Sequence, residues 1–129
     1  MPTLTMAPTL GDLVKYELNG NYNRETVTLK AGTSYLLGAV LGRITASGKY
    51  RLSPASPVTG DEGAETAVAV LIEAVDATAG DAAGLVIARG PAIVSKAALV
   101  FDASVDQPAE KAAKHAELAA VGIVPRETA

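Results

Sequence analysis

Gly38-Ala39-Val40-Leu41-Gly42-Arg43-Ile44-Thr45-Ala46-Ser47-Gly48-Lys49-Tyr50 is the stretch around which the chain is organised. Leu36 to Ile44 is an apolar run with almost no charge. It is too short to cross a membrane and suits a strand buried on both faces. Ala46-Ser47-Gly48-Lys49 turns the chain, because Gly48 can take the positive φ that a tight hairpin needs. Lys49-Tyr50-Arg51-Leu52 alternates long polar and apolar side chains, the pattern of a half-exposed returning strand. The expectation is a hairpin with a central first strand. No catalytic group lies on that strand, so it is scaffold.

Working outward, Arg24-Glu25-Thr26-Val27-Thr28-Leu29-Lys30 is a Thr- and Val-rich strand closed by Ala31-Gly32. Ser53 to Glu65 is a loop punctuated by Pro54, Pro57, Gly60 and Gly63, with Asp61, Glu62 and Glu65 expected to keep it wet. Thr66 to Val75 is a second buried strand, and Asp76-Ala77-Thr78-Ala79-Gly80-Asp81 turns it. Leu85 to Arg89 is a third strand, broken by Gly90-Pro91 because Pro91 cannot donate to a ladder. Ala92 to Phe101 carries another.

Asp106 to Val121 reads as a helix. Asp106 is the expected cap and Pro108 sits in the first turn, where a missing N–H costs little. Ala109, Ala112, Ala113, Ala116 and Ala120 form a shallow apolar stripe, with Glu110, Lys111, Lys114 and Glu117 on the expected wet side. Gly122 closes the helix in a left-handed cap, Ile123 folds back on Leu118, and Val124-Pro125-Arg126 leads into a frayed tail. The order lacks βαβ alternation. It predicts a mainly β (α+β) domain, a small antiparallel barrel or sandwich over residues 24–129, with one C-terminal helix over 106–121.

Residues 1–23 form an extended N-terminal arm in this reading. Pro2, Pro8 and Asn19-Gly20-Asn21 break any period. Leu10, Leu13, Val14, Tyr16 and Leu18 show neither sustained helical nor strand spacing. Two readings stand: a disordered terminus, or an arm that orders on a partner through those apolar residues.

Composition narrows the function. The chain is 49% hydrophobic but 4% aromatic, so its core is built from Ala, Val, Leu and Ile, and large aromatic anchors are not expected. Cys is absent, which removes disulfides, thiolate zinc sites and cysteine nucleophiles. The net charge is −3 with no basic stripe, which argues against nucleic acid as the main partner. The opening residues lack the charged-then-apolar layout of a secretory leader, so a soluble, cytoplasmically made protein is expected.

No reaction emerges from the motifs. His115 is the only histidine and has no His or Cys to share a metal, so a solvated or rim position is expected. Asp76 and Asp81 bracket mostly Ala and Gly, which suits turn chemistry better than a calcium loop. Gly48-Lys49 fails the phosphate-loop pattern, since Arg43 and Tyr50 stand where Gly and Ser or Thr are required. Neither catalytic residues, a metal nor a cofactor is expected.

The order of several segments resembles one family. Arg24-Glu25-Thr26-Val27-Thr28-Leu29, then Gly38 to Thr45, is similar to the start of the head decoration proteins of tailed bacteriophages, the lambda protein D family. Ala67-Val68-Ala69-Val70-Leu71, Val75-Asp76-Ala77-Thr78 and Arg89-Gly90-Pro91-Ala92 resemble its middle. Leu118 to Arg126 resembles its C-terminal helix and exit. The resemblance runs from about Asp12 to Arg126. It implies a β-tulip-like homotrimer that sits outside an expanded capsid at local three-fold positions, clamps neighbouring major capsid protein subunits and resists DNA pressure. The protein would be made in the host bacterial cytoplasm and end on the virion. The family's N-terminal segment orders against the capsid, which implies Leu10, Leu13, Val14, Tyr16, Leu18 and Tyr22 as contact residues here. This chain has a different N-terminal segment from the lambda protein and lacks its Trp, so fine contacts do not carry over. The alternatives are a small β-barrel module for carbohydrate or peptide on a phage or cell surface, and a small enzyme, which would need a cleft of converging polar groups.

Overall fold

The hairpin forms where the sequence places it. In the computed structural model, which describes residues 13–127, Val40–Arg43 pairs antiparallel with Tyr50–Leu52. Gly48, at φ 75°, turns the chain between them. In chain order the strands are β1 (Val14–Glu17), β2 (Arg24–Leu29), β3 (Ser34–Tyr35), β4 (Val40–Arg43), β5 (Tyr50–Leu52), β6 (Ala67–Leu71), β7 (Val75–Asp76), β8 (Ala82–Ile87), β9 (Ala92–Ser95) and β10 (Ile123–Arg126). A helical turn, Gly20–Asn23, follows β1, and the C-terminal helix α1 spans Pro108–Ala120.

Strands β2-β5-β4-β6-β8 close a barrel. Its ladders are antiparallel except for the short parallel contact of β2 with β5 at Leu29↔Tyr50, which completes the ring. A separate sheet, β1-β9-β10, lies outside it, with β1 antiparallel and β10 parallel to β9. The fold is a mostly antiparallel small barrel carrying one C-terminal helix.

The barrel explains the unbroken apolar runs. Leu29, Tyr35, Ala39, Leu41, Ala69, Leu71, Ala77 and Val86 form one buried cluster. Val40, Val70 and Ile87 point the other way, into a second cluster with Ala92 and Val94 of β9, Leu118 of α1 and Ile123 of β10. Successive side chains on a strand face opposite sides, so strands with a core on each face have no polar positions to alternate. Leu36, by contrast, stands 56% exposed, because the strand begins only at Val40. Tyr35 is buried with its hydroxyl donating to the Lys30 carbonyl at 2.8 Å, which satisfies its polar end.

Several expectations are corrected. Helix α1 turns its alanines outward: Ala109, Ala112, Ala113, Ala116 and Ala120 are exposed, and Lys114 is buried with Leu118. Lys114 Nζ donates to Ser53 Oγ at 2.9 Å, to the Pro54 carbonyl at 2.7 Å and to the Glu65 carbonyl, and pairs with Glu117 at 3.3 Å. Polar acceptors supplied by the 53–65 loop make the buried ammonium tolerable. The helix cap is Gln107 rather than Asp106: Glu110 Oε1 accepts the Gln107 N–H at 3.1 Å, and the Glu110 N–H donates to the Gln107 carbonyl at 3.1 Å. Residues 123–126 are strand β10 and not an exit from the fold. The strand from Ala92 ends at Ser95, where a 3-10 turn, Lys96–Ala98, begins. Asp61 is buried, not wet. Of the two positions expected for His115, solvated or rim, it takes the rim, half-buried with its Nε2 enclosed.

The end of α1 is fixed by two crossing backbones. Gly122 has φ 84°, as expected of its cap position. A Cβ there would meet Gly90 Cα at 2.9 Å, and a Cβ on Gly90 would fall on the Gly122 carbonyl. The Gly90 N–H donates to the Val121 carbonyl at 2.9 Å and the Ala92 N–H to the Gly122 carbonyl at 3.1 Å. Two glycines let α1 run into β10 flush against the turn before β9.

Candidate functional site

The β1-β9-β10 sheet presents an uncovered apolar row. Its inner face carries Val94, Ala92 and Ile123 into the core. On β1, Val14 pairs with Val94 but Tyr16 pairs with Ile93, so Lys15 is an extra residue on β1. Such a bulge reverses the facing of the residues beyond it. Val14 is therefore half-buried against the core, whereas Tyr16 stands 47% exposed. Ile93 also pairs with Val124 on its other side, and Val124 is 40% exposed. Tyr16, Ile93 and Val124 form one row across three strands. Leu18 extends it, 58% exposed, with its N–H donating to the Pro91 carbonyl at 3.2 Å.

The platform beneath the row is tied to the barrel. The Asn23 amide donates to the Arg89 and Pro91 carbonyls at 2.9 and 3.2 Å, and its Oδ1 accepts the Asn19 N–H at 2.7 Å. Arg24 and Glu17 form a two-point ion pair that holds the end of β1 to the start of β2. Glu17 raises the Arg24 pKa above its ordinary value.

The six contact residues implied by the family resemblance fall in different environments. Tyr16 and Leu18 lie on the exposed face. Val14 is half-buried, and Leu13 is fully buried in the core. Tyr22 falls in the helical turn Gly20–Asn23. Leu10 lies outside the described residues. Ile93 and Val124 join the row from distant strands and escaped the sequence reading. Their signal was weak: each is one β-branched residue between a buried residue and the next position.

Elsewhere the polar groups are committed to structure. Asp61 accepts Lys30 Nζ at 2.7 Å and Arg51 Nη1 at 2.8 Å, and Arg51 also reaches Asp102 at 3.4 Å. The Lys30 hydrogen bond foremost, with Arg51 assisting, holds the Asp61 carboxyl below its ordinary range. These residues line a cavity of about 160 Å³ with Thr33, Tyr35 and Leu52. Its two cations and two carboxylates are paired, so the network pins the 53–65 loop to β2 and β5. Asp76 caps the turn through the Thr78 hydroxyl and N–H, and Asp81 accepts the Ala31 N–H and pairs with Lys49. Asp76 acts as the turn residue expected of it, whereas Asp81 ties its turn to residues 31 and 49. Among the described residues no three His, Asp or Glu side chains gather as a metal site, and no helix is long and apolar enough to cross a membrane.

Residues 3–123 match the family described as bacteriophage lambda head decoration protein D. Among curated proteins none matches the chain.

Proposed function

The chain belongs to the bacteriophage lambda head decoration protein D family, a family of structural capsid proteins, and on that premise we propose that it cements an expanded capsid as a trimer at local three-fold positions. Three copies on one rigid particle raise the local concentration of each successive contact, so avidity gains roughly a hundredfold or more over a single contact. The capsid partner is the major capsid protein. Its contact surface is the Tyr16–Ile93–Val124 row together with the N-terminal arm that enters at β1.

The exposed apolar row carries this reading. Apolar side chains aligned across a braced sheet bury area on docking without having to be ordered first. The row also lies on the sheet whose edge strand, β1, continues from the arm.

Co-sedimentation with expanded, empty capsids tests the proposal. The full chain should pellet with them. Tyr16→Ser and Val124→Ser, both at exposed positions, should keep the fold and weaken binding. A chain beginning at Asp12 keeps Leu13 and all of β1, so it should fold and bind less tightly. Unchanged binding by all three folded variants would remove both the face and the arm from the contact.

A further inference from the structure

His115, the only histidine, sits in the middle of α1. Its ring stands 5.8 Å from that of Phe101, tilted by 60°, and its buried Nε2 has no hydrogen-bond partner among the described residues. Phe101 ends a segment anchored to the barrel: the Val100 N–H donates to the Gly38 carbonyl, and the Val100 carbonyl accepts the Val40 N–H, both at 2.9 Å. The ring contact therefore joins the helix to the approach to β4.

The surroundings of the imidazole favour its neutral form. Lys96, on the 3-10 turn, repels a charge there. Lys111, one helical turn back, hangs 6.0 Å over the Phe101 ring. The carboxylates are engaged elsewhere. Glu110 accepts the Asp106 and Gln107 N–H groups, Glu117 accepts the Ala67 N–H and pairs with Lys114, and Asp102 serves Ser104 and Arg51. Of the strands packed on α1, β6 carries no charged residue and β10 carries only Arg126, another cation. A proton placed on Nε2 would find no acceptor and like charges around it.

We propose that the His115–Phe101 contact is an acid-sensitive latch: the neutral imidazole holds α1 to residues 96–101, and the protonated one releases it. Burial, with Lys96 assisting, lowers the imidazole below its ordinary 6.5. The unfolded chain then takes up this proton more readily than the folded one. The stabilisation is complete above 6.5 and is lost as pH falls through the lower folded value.

Urea unfolding at pH 7.5 and 5.0, on the wild type and on His115→Phe, gives one test. The wild-type folding constant should fall more than the variant's between the two pH values. The excess should equal the fall expected from the two His115 proton affinities, folded and unfolded, read from its ring resonances. NMR on the wild type gives a second test that needs no variant: the His115–Phe101 ring cross-peak should fade as the histidine titrates. An equal acid loss in wild type and variant would overturn the latch. So would a folded His115 titrating at or above 6.5, or a cross-peak that survives the titration.

Discussion

Replacing Lys114 by Met would test the internal clasp between α1 and the 53–65 loop. Met keeps most of the aliphatic stem and removes the ammonium. The Pro54 and Glu65 carbonyls then lose the donor they share, while Ser53 Oγ still donates to the Ala64 carbonyl at 2.7 Å. An unmet buried acceptor costs ~1–3 kcal/mol, so two cost ~2–6 kcal/mol. Relief from burying a cation returns part of that, leaving a net loss of about 3 kcal/mol. In a domain of this size each kcal/mol moves the melting temperature by about 3–5 °C, so the drop should be on the order of 10 °C. Differential scanning calorimetry reads it directly. Lys111→Met, at an exposed position on the same helix, is the control and should lose about 0.5 kcal/mol with its contact to Phe101. A Lys114→Met protein melting within about 2 °C of wild type would show that the clasp contributes nothing, and the account of why α1 docks in this orientation would fail.

Two further outcomes are expected. Gly122→Val puts a β-branched residue at φ 84°, costing on the order of 1–2 kcal/mol before its clash with Gly90; Gly90→Ala, at an ordinary φ, should also destabilise because its Cβ falls on the Gly122 carbonyl. Thermal melts of both decide this, and a neutral Gly90→Ala would mean that the two backbones are not in close contact. Asp61→Asn should lower the melting temperature at pH 7 and flatten the acid limb of the stability profile. The Asp61 contribution is complete above the ordinary carboxyl value of 3.8 and is lost as pH falls through its lower folded value. An unchanged acid limb would show that the Lys30–Asp61–Arg51 network is not the acid-sensitive element.

Much of the barrel was legible because its signals are local. Gly48 between two apolar-patterned runs announces β4 and β5, and runs without polar alternation announce strands covered on both faces. The helix was found for the same reason, but its orientation was not. An Ala stripe and a Lys stripe are both compatible with helical period, and the choice depends on Ser53, Pro54 and Glu65, which lie far away in sequence. The exposed row was hidden by the bulge at Lys15. Val14, Tyr16 and Leu18 alternate with Lys15 and Glu17, but one extra residue moves Tyr16 to the face opposite Val14, so this short alternation does not report which side chains face the core. Val124 was missed because Pro125 suggested an exit from the fold. On β10 the proline lies at an edge of the sheet, where a strand tolerates a missing N–H.

The most direct measurement is a cryo-electron microscopy reconstruction of expanded capsids saturated with this protein. Trimeric density is expected on the outer surface at every local three-fold position, with the face bearing Tyr16, Ile93 and Val124 turned toward the major capsid protein and chain density continuing from Leu13 into the shell. Density at another symmetry position, or a trimer whose β1-β9-β10 face points to solvent, would contradict it.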